Sequence, residues 1–329
     1  MPDTTVPQQN VSTRPIRACM LAYTFYESDG RVMRYAEALA QEGAQVDAIV
    51  LRRPGQPREE VIHGVRVLRI QTREKNERGK LAYFLRILRF LLRSMAEVTL
   101  QHFKGRYDVI HVHSVPDFEV FAAVIPKLSG AKVILDIHDI VPEFYAAKFG
   151  VSHDSLVFRA LKLIERLSAS FADHVIAAND IWLERIESRS AHRDKCSAFI
   201  NYPDLSVFRS TLRTRGDDGR FILSYPGTLN WHQGLDIAVK AFAIAHVQAP
   251  AMRQIASVMA NADLGVVPKR NDSFGGEAFS TKILEFMALG VPVVVADTRI
   301  DRHYFNDTLL RFFTPADVDA LAQAMLDAY

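Results

Sequence analysis

The stretch Ser273-Phe274-Gly275-Gly276-Glu277-Ala278-Phe279-Ser280-Thr281-Lys282-Ile283-Leu284-Glu285-Phe286-Met287-Ala288-Leu289-Gly290-Val291-Pro292-Val293-Val294-Val295 carries loop, helix and strand signals in succession. Before it, the apolar run Leu264 to Val267 ends at Pro268 and gives way to a polar, glycine-bearing loop, Lys269 to Glu277. A helix should follow. Ser280 or Thr281 can cap it, Ile283, Leu284, Met287 and Ala288 recur at helical spacing, and Gly290 suits the left-handed position after a helix end. Val291 to Ala296 reads as a buried parallel strand. The whole is a βαβ unit whose loop and helix start lie at the carboxyl end of the sheet, where open α/β sheets bind ligands.

An anion is the natural guest of such a place. Amides without helical acceptors and the positive end of the helix dipole favour phosphate, and Lys282 in the first turn adds a mobile cation. Glu277 in the loop and Glu285 in the helix are eight residues apart, so both can reach a ligand lying along the helix start. The bland alternative for Glu285 is a solvated helix residue.

Glu277-x7-Glu285, with the Lys282 helix start and the strand after Gly290, resembles the donor site of the retaining glycosyltransferases of family 4, which have the GT-B fold. The resemblance extends from about Arg17 to the C-terminus. It implies an α/β protein of two Rossmann-like, doubly wound domains facing across a cleft. In that family the first glutamate lies by the donor sugar, the second binds the ribose hydroxyls, and loop and helix amides hold the diphosphate.

Composition bounds the reading from another side. A chain of 329 residues, 49% hydrophobic and 24% charged, is globular and long enough for two domains. A formal net charge of +2 excludes polyanion binding, nucleic acid included, as the main theme. Cys19 and Cys196 lie far apart and match no ligand spacing, which argues against a disulfide framework or zinc site and for a reducing cytoplasm. Residues 1–15 have no apolar signal core, and no run of about 18 apolar residues occurs, so a cytoplasmic protein, neither exported nor membrane-spanning, is expected.

Short apolar strands alternate with amphipathic helices through the first two hundred residues, as a doubly wound sheet requires. Strands are expected at Ala18 to Ala22, Val46 to Leu51, Val65 to Ile70, Val109 to Val112, Val133 to Ile137 and Val175 to Ala178. The first ends in a loop containing Asp29 and Gly30, and a helix from Arg31 closes at Gly43. The resemblance puts such a loop on the acceptor side, although Gly30 also reads as a plain helix-start glycine. Two further strand ends carry His113-Ser114-Val115-Pro116-Asp117 and His138-Asp139-Ile140-Val141-Pro142-Glu143. His113 sits where related enzymes often carry a histidine beside the transferred sugar. His138, Asp139 and Glu143 resemble a subset of the family that acts on polysaccharide precursors. As alternatives, Asp139 caps a turn, and His111 and His138 are hydrogen-bonded structural residues.

Between these strands, Leu81, Leu85, Leu88 and Leu92 share one face of a helix over residues 80–93, and Arg86, Arg89 and Arg93 cluster on another. Phe84, Ile87, Phe90 and Leu91 widen the apolar arc. Such a helix can lie on an anionic bilayer, each nearby cation contributing about 1 kcal/mol. The alternative is an ordinary packed helix with a solvated basic face.

Ile200-Asn201-Tyr202-Pro203 resembles the family's interdomain connection, which divides an acceptor-binding domain, 1–200, from a nucleotide-sugar-binding domain, 201–329. A strand Phe221 to Tyr225 leads into Pro226-Gly227-Thr228-Leu229-Asn230-Trp231-His232-Gln233-Gly234, with a helix from Leu235. This loop resembles the family's first donor-phosphate loop, but Thr228 and Gln233 stand where most members have arginine and lysine. Phosphate charge must then be met by Lys282, Lys269, Arg270, backbone amides or His232. Asp317-Val318-Asp319 matches a short acidic metal motif, yet first-turn acids of a helix explain it better. No metal or other cofactor is expected. No strand falls between Tyr225 and Leu264, where a doubly wound domain needs a crossover, so a segment near Pro250 is expected to be missing from the sequence.

The leading expectation is therefore a metal-independent hexosyltransferase that retains anomeric configuration. The resemblance implies a uridine-linked donor first and GDP-mannose second, and a lipid-linked saccharide acceptor in polysaccharide or exopolysaccharide biosynthesis at the cytoplasmic face of the membrane. His113, Asp139 and Glu277 are the expected catalytic residues. Gly227, Thr228, Gln233, Lys269, Gly276, Phe279, Ser280, Thr281, Lys282 and Glu285 are expected on the donor, and Asp29, Gly30, His138 and Glu143 on the acceptor side. The competing readings are a nucleotide-sugar epimerase of the same fold and a non-catalytic sugar-nucleotide-binding protein.

Overall fold

The computed structural model describes residues 14–73, 80–210, 221–227, 231–242 and 255–328. Thr228 and the junction near Pro250 lie outside the described residues, as do the side chains of Leu81 and His232. The contacts group the chain into two units, Met1–Leu135 and Asp136–Tyr329.

The first unit opens with β1 (Arg17–Ala22), α1 (Gly30–Gln41), β2 (Gln45–Arg52), β3 (Glu59–Ile62) and β4 (Val65–Thr72). It continues with α2 (Lys80–Lys104), β5 (Val109–His113), α3 (Val124–Leu128) and β6 (Lys132–Ile137), a strand that the division cuts. The strand order is β3-β4-β2-β1-β5, then β6. β1 is parallel to β2 and β5, and β2 to β4. The inner strands are largely buried on both faces, as in a covered parallel sheet, with Asp47, Arg69 and Gln71 enclosed among the apolar residues. β3 was not expected from the sequence, since Glu59 and Glu60 break the apolar pattern. It pairs antiparallel at the sheet's edge, where charged side chains discourage further pairing.

α2 runs 25 residues, past the expected stop at Arg93. Ile87, Phe90 and Val98 are its buried face. The leucines at 85, 88 and 92 face solvent instead, Leu92 at 60% exposure, with Phe84, Leu100 and Phe103 also exposed. Arg93 does not join a free basic cluster, because its guanidinium donates to the Ile70 carbonyl at 3.2 Å. Among the described residues no helix is long and apolar enough to cross a membrane.

The second unit holds the end of β6, α4 (Val141–Phe149), α5 (Leu156–Phe171), β7 (His174–Ala177), α6 (Asp180–Arg189) and β8 (Cys196–Ala198), with β7 parallel to β8. Its later part comprises β9 (Leu223–Ser224), α7 (Leu235–Ala241), α8 (Ile255–Ala260), β10 (Leu264–Val267) and α9 (Thr281–Leu289). β11 (Val293–Ala296), α10 (Arg299–Tyr304), β12 (Arg311–Phe313) and α11 (Val318–Asp327) complete it. These strands form an all-parallel sheet of order β12-β11-β10-β9. β8 and β12 have three residues each, too few for a periodic signal.

α9 is the element on which the candidate site hangs. Ile283, Phe286 and Leu289 bury its inner face against β10 and β11. It ends because Gly290 turns left-handed, φ 71°, with its N–H donating back to the Met287 carbonyl. Val291 still donates to the Phe286 carbonyl at 3.0 Å, so β11 starts two residues later than the apolar run suggests. Asp317 caps α11 by accepting from Ala320 N at 2.9 Å, the helix-start role read from the sequence.

In the first unit Glu119 is fully buried, and burial pushes its carboxyl up to about 8, only weakly opposed by the Ser94 hydroxyl. The folded state then holds a proton that the unfolded chain releases near the ordinary carboxyl pKa, so stability is full below that value and falls as pH rises toward 8. The loss is expected to be about 1.4 kcal/mol per pH unit in that window. Urea melts at stepped pH check this, and Glu119→Gln should flatten the slope.

Candidate functional site

The loop from Pro268 to Ser280 is wound tightly before α9. Asp272 Oδ1 accepts from the amides of Phe274 (3.0 Å) and Gly275 (2.6 Å), and the Asp272 carbonyl accepts from Gly276 at 3.0 Å. A Cβ on Gly275 would lie 2.5 Å from the Arg270 carbonyl oxygen, and one on Gly276 2.3 Å from Asn271 Oδ1. Only glycine lets the chain close so far upon itself.

The loop and the start of α9 enclose a hollow of about 100 Å³ lined by Gln233, Lys269, Phe274, Gly275, Ala278, Phe279, Ser280, Thr281 and Lys282. The first amides of α9 have no acceptor within the helix, so the hollow lies at its positive end. Ser280 holds the N-cap position but its side chain does not cap. Its Oγ is buried and has no hydrogen-bond partner among the described residues, a group that an incoming oxygen would satisfy.

The two lysines are not equivalent. Lys269 Nζ lies 2.8 Å from Asp301 Oδ2 and donates to the Ala278 carbonyl at 2.9 Å, and both members of the pair are buried. Burial pushes its ammonium pKa down, with Asp301 pulling against that. Lys282 also has its pKa lowered by burial, opposed by Glu285 and reinforced by Lys269, but its polar contact is the neutral amide oxygen of Gln233, at 3.3 Å. Of the cations expected to meet phosphate, Lys269 and Lys282 both line the hollow. Lys269 is matched by Asp301, and Arg270 is paired with Asp236 at 2.8 Å and stacked 3.5 Å above the Trp231 ring. In both, a carboxylate already balances part of the charge that a ligand would meet.

The remaining expected residues fall as follows. Gly227 donates its amide to the Tyr225 carbonyl, and Glu285 lies half-exposed on α9. Gly276 and Glu277 belong to the loop but not to the hollow's lining. Asp29 caps α1, accepting from Val32 N at 3.2 Å, and Gly30 is that helix's first residue. His113 is buried at the end of β5, its ring 4.2 Å from that of His111 and 5.9 Å from Tyr35. His138 Nε2 is 3.4 Å from Asp136, and Asp139 is half-exposed in the turn before α4. Glu143, expected toward the acceptor, is instead buried in an ionic cluster. Burial pushes its carboxyl up, but Arg189 and Arg185 outweigh that and leave it below the ordinary range.

Glu277 brings in residues that the sequence reading missed. Arg185 Nη2 lies 2.6 Å from each of its carboxylate oxygens, Arg299 Nη1 donates to Oε1 at 3.2 Å, and Asn179 Nδ2 donates to its carbonyl at 3.1 Å. The available signal was Arg185 and Arg189, four apart on a helix and so on one face.

A doubly wound first sheet, a four-stranded parallel second sheet and a hollow at a helix start fit a glycosyltransferase. The comparisons give the family. A model described as "Glycosyl transferase 4-like domain" matches residues 30–201, over half the chain, and one described as "Glycosyl transferases group 1" matches residues 243–329. The chain belongs to the glycosyltransferase 4-like family, and its fold is of the GT-B type. Sucrose-phosphate synthase from Thermosynechococcus elongatus is similar in structure, with a TM-score of 0.76 at 16% identity over 95% of this chain and 89% of that one. HepE from Anabaena, solved in complex with UDP, gives 0.64 at 16% identity over 95% and 89%. The lipopolysaccharide outer core galactosyltransferase WaaB gives 0.57 at 9% identity over 95% and 90%. At these identities the likeness speaks for the fold alone. A comparison with curated proteins finds no match.

Asp301→Ala leaves the Lys269 ammonium buried without its carboxylate, and breaking such a pair should destabilise the protein by about 3–5 kcal/mol. Thermal melts check this, and Asp301→Ala with Lys269→Met should recover part of the loss.

Proposed function

We propose that the protein transfers a hexose from a nucleoside-diphosphate sugar to a lipid-linked saccharide with retention at the anomeric carbon, in the assembly of a polysaccharide. The observation that carries this is the hollow at the start of α9, where Lys282, Ser280 and the first amides converge on space suited to a diphosphate. Uridine-linked donors stand first, in keeping with the UDP held by HepE, and GDP-mannose second. Residues 1–200 bind the acceptor and 201–329 the donor. The match of separate family descriptions to 30–201 and 243–329 supports that division.

In the step, the bond from the anomeric carbon to the diphosphate oxygen breaks and a bond from the acceptor hydroxyl oxygen to that carbon forms. The hydroxyl proton passes to the departing phosphate, or to Asp139. Negative charge grows on the leaving oxygen, and Lys282 with the amides of Phe279 to Thr281 stabilises it without a metal. Glu277 holds sugar hydroxyls, Glu285 the ribose, and His113 serves the sugar and acceptor.

The exposed leucine face of α2 supports seating on an anionic bilayer at the cytoplasmic face. Liposome sedimentation should fall as salt rises and fall further in Leu85→Gln with Leu92→Gln. Unchanged sedimentation would leave α2 a solvent-facing helix.

Incubating labelled UDP- and GDP-sugars with a lipid extract tests the reaction. Label moving to lipid supports transfer, epimer exchange without acceptor points to an epimerase, and binding alone to a sensor. Glu285→Gln should chiefly raise the donor KM, and His113→Ala chiefly lower kcat. Near wild-type kcat in His113→Ala would remove that residue from the mechanism.

A further inference from the structure

Side chains on α4, α5 and α6 form a closed ionic frame. Arg189 of α6 donates to both carboxylate oxygens of Glu143 on α4, the Nη2–Oε2 contact being 3.0 Å. It also donates to Glu165 on α5, through Nε at 2.8 Å and Nη2 at 2.6 Å. Glu143 and Glu165 are 3% and 1% exposed, so neither can exchange its partner for water. Arg185, one turn before Arg189, places Nη1 3.3 Å from Glu143 Oε1 and Nη2 2.6 Å from the Glu277 oxygens. A guanidinium is a rigid planar fork, so the arm seated on Glu143 sets where the other arm points.

The main chain at Glu277 is held from the same helix. Asn179 is fully buried, caps α6 by accepting from Trp182 N at 2.9 Å, and donates its amide to the Glu277 carbonyl. Arg299, the other cation at Glu277, is 62% exposed, so water screens it, whereas Arg185 is only 27% exposed. Glu277 Oε2 is buried and, although 2.6 Å from Arg185, receives no aligned hydrogen bond among the described residues. A hydroxyl would complete it.

We propose that Arg185 is a positioning residue for the donor sugar: braced on Glu143, it fixes the Glu277 carboxylate so that Oε2 accepts from a sugar hydroxyl. This rests on the donor-sugar reading of Glu277 above. Glu143 then serves the reaction as the brace for Arg185, without touching the acceptor.

The test is a double-mutant cycle on Arg185→Met and Glu277→Gln, with UDP-glucose as donor, or GDP-mannose if the labelled-sugar assay selects it. Affinity for the matching nucleoside diphosphate, which carries no sugar, is measured alongside. Arg185→Met should lower kcat/KM for the donor by about tenfold while nucleoside diphosphate binding stays at the wild-type level. In the Glu277→Gln background the same change should cost less than about twofold, because the group it acts on is already altered. Arg185→Lys keeps the charge but not the fork, so it should recover only part of the loss, and it substitutes for Arg185→Met if that variant does not fold. A full loss that persists in Glu277→Gln, or a parallel loss of nucleoside diphosphate binding, overturns the proposal. If Glu277→Gln alone leaves donor kinetics unchanged, the reading of Glu277 falls and the proposal with it. A damaging Glu277→Gln with a silent Arg185→Met removes only the positioning role.

Discussion

An ammonium taken out of water is tolerated only where a carboxylate and a carbonyl stand ready for it, and the Lys269–Asp301 pair meets that demand inside the second unit. The consequences run outward from it. Lys269 follows β10, Asp301 belongs to α10, and the Ala278 carbonyl that completes the set belongs to the loop before α9. Thr298 Oγ1 donates to Asp301 Oδ2 at 2.6 Å and so fixes the carboxylate in turn. One cation thereby ties together the three segments that frame the hollow, while Lys282, held by Glu285 and by the Gln233 amide oxygen, lines the hollow beside it.

How much of this was legible depends on how local each signal is. The βαβ unit around α9 was readable because its strand, cap and left-handed glycine lie in consecutive residues, and the structure places the helix at Thr281–Leu289 with Gly290 turning as expected. The strands β1, β2, β4, β5, β6 and β7 were readable for the same reason, being apolar runs bounded by polar turns. β3, β8 and β12 were not, since an edge or a three-residue strand leaves no period to detect.

The site was half legible. Residue type and helix position identified Ser280, Thr281 and Lys282, which do line the hollow. The same reasoning named Lys269, which also lines the hollow, and Arg270 without their ion pairs, because a sequence shows a cation's presence but not the carboxylate, thirty or more residues away, that pairs with it. Glu143 illustrates the converse. Its partners Arg185 and Arg189 come from another helix, so its commitment to an ion pair appears only once α4 and α6 are packed.

The enclosure of Lys269 also changes what the residue can undergo. Amine-directed reagents attack the neutral, accessible amine, and a side chain shut behind the loop offers them no approach even though burial has lowered its pKa. Whenever the loop before α9 opens, that same amine meets water, loses the burial that lowered its pKa, and reacts as an ordinary exposed lysine. The rate at which Lys269 is labelled therefore counts the openings of the loop, and a ligand seated at the start of α9 would slow that clock.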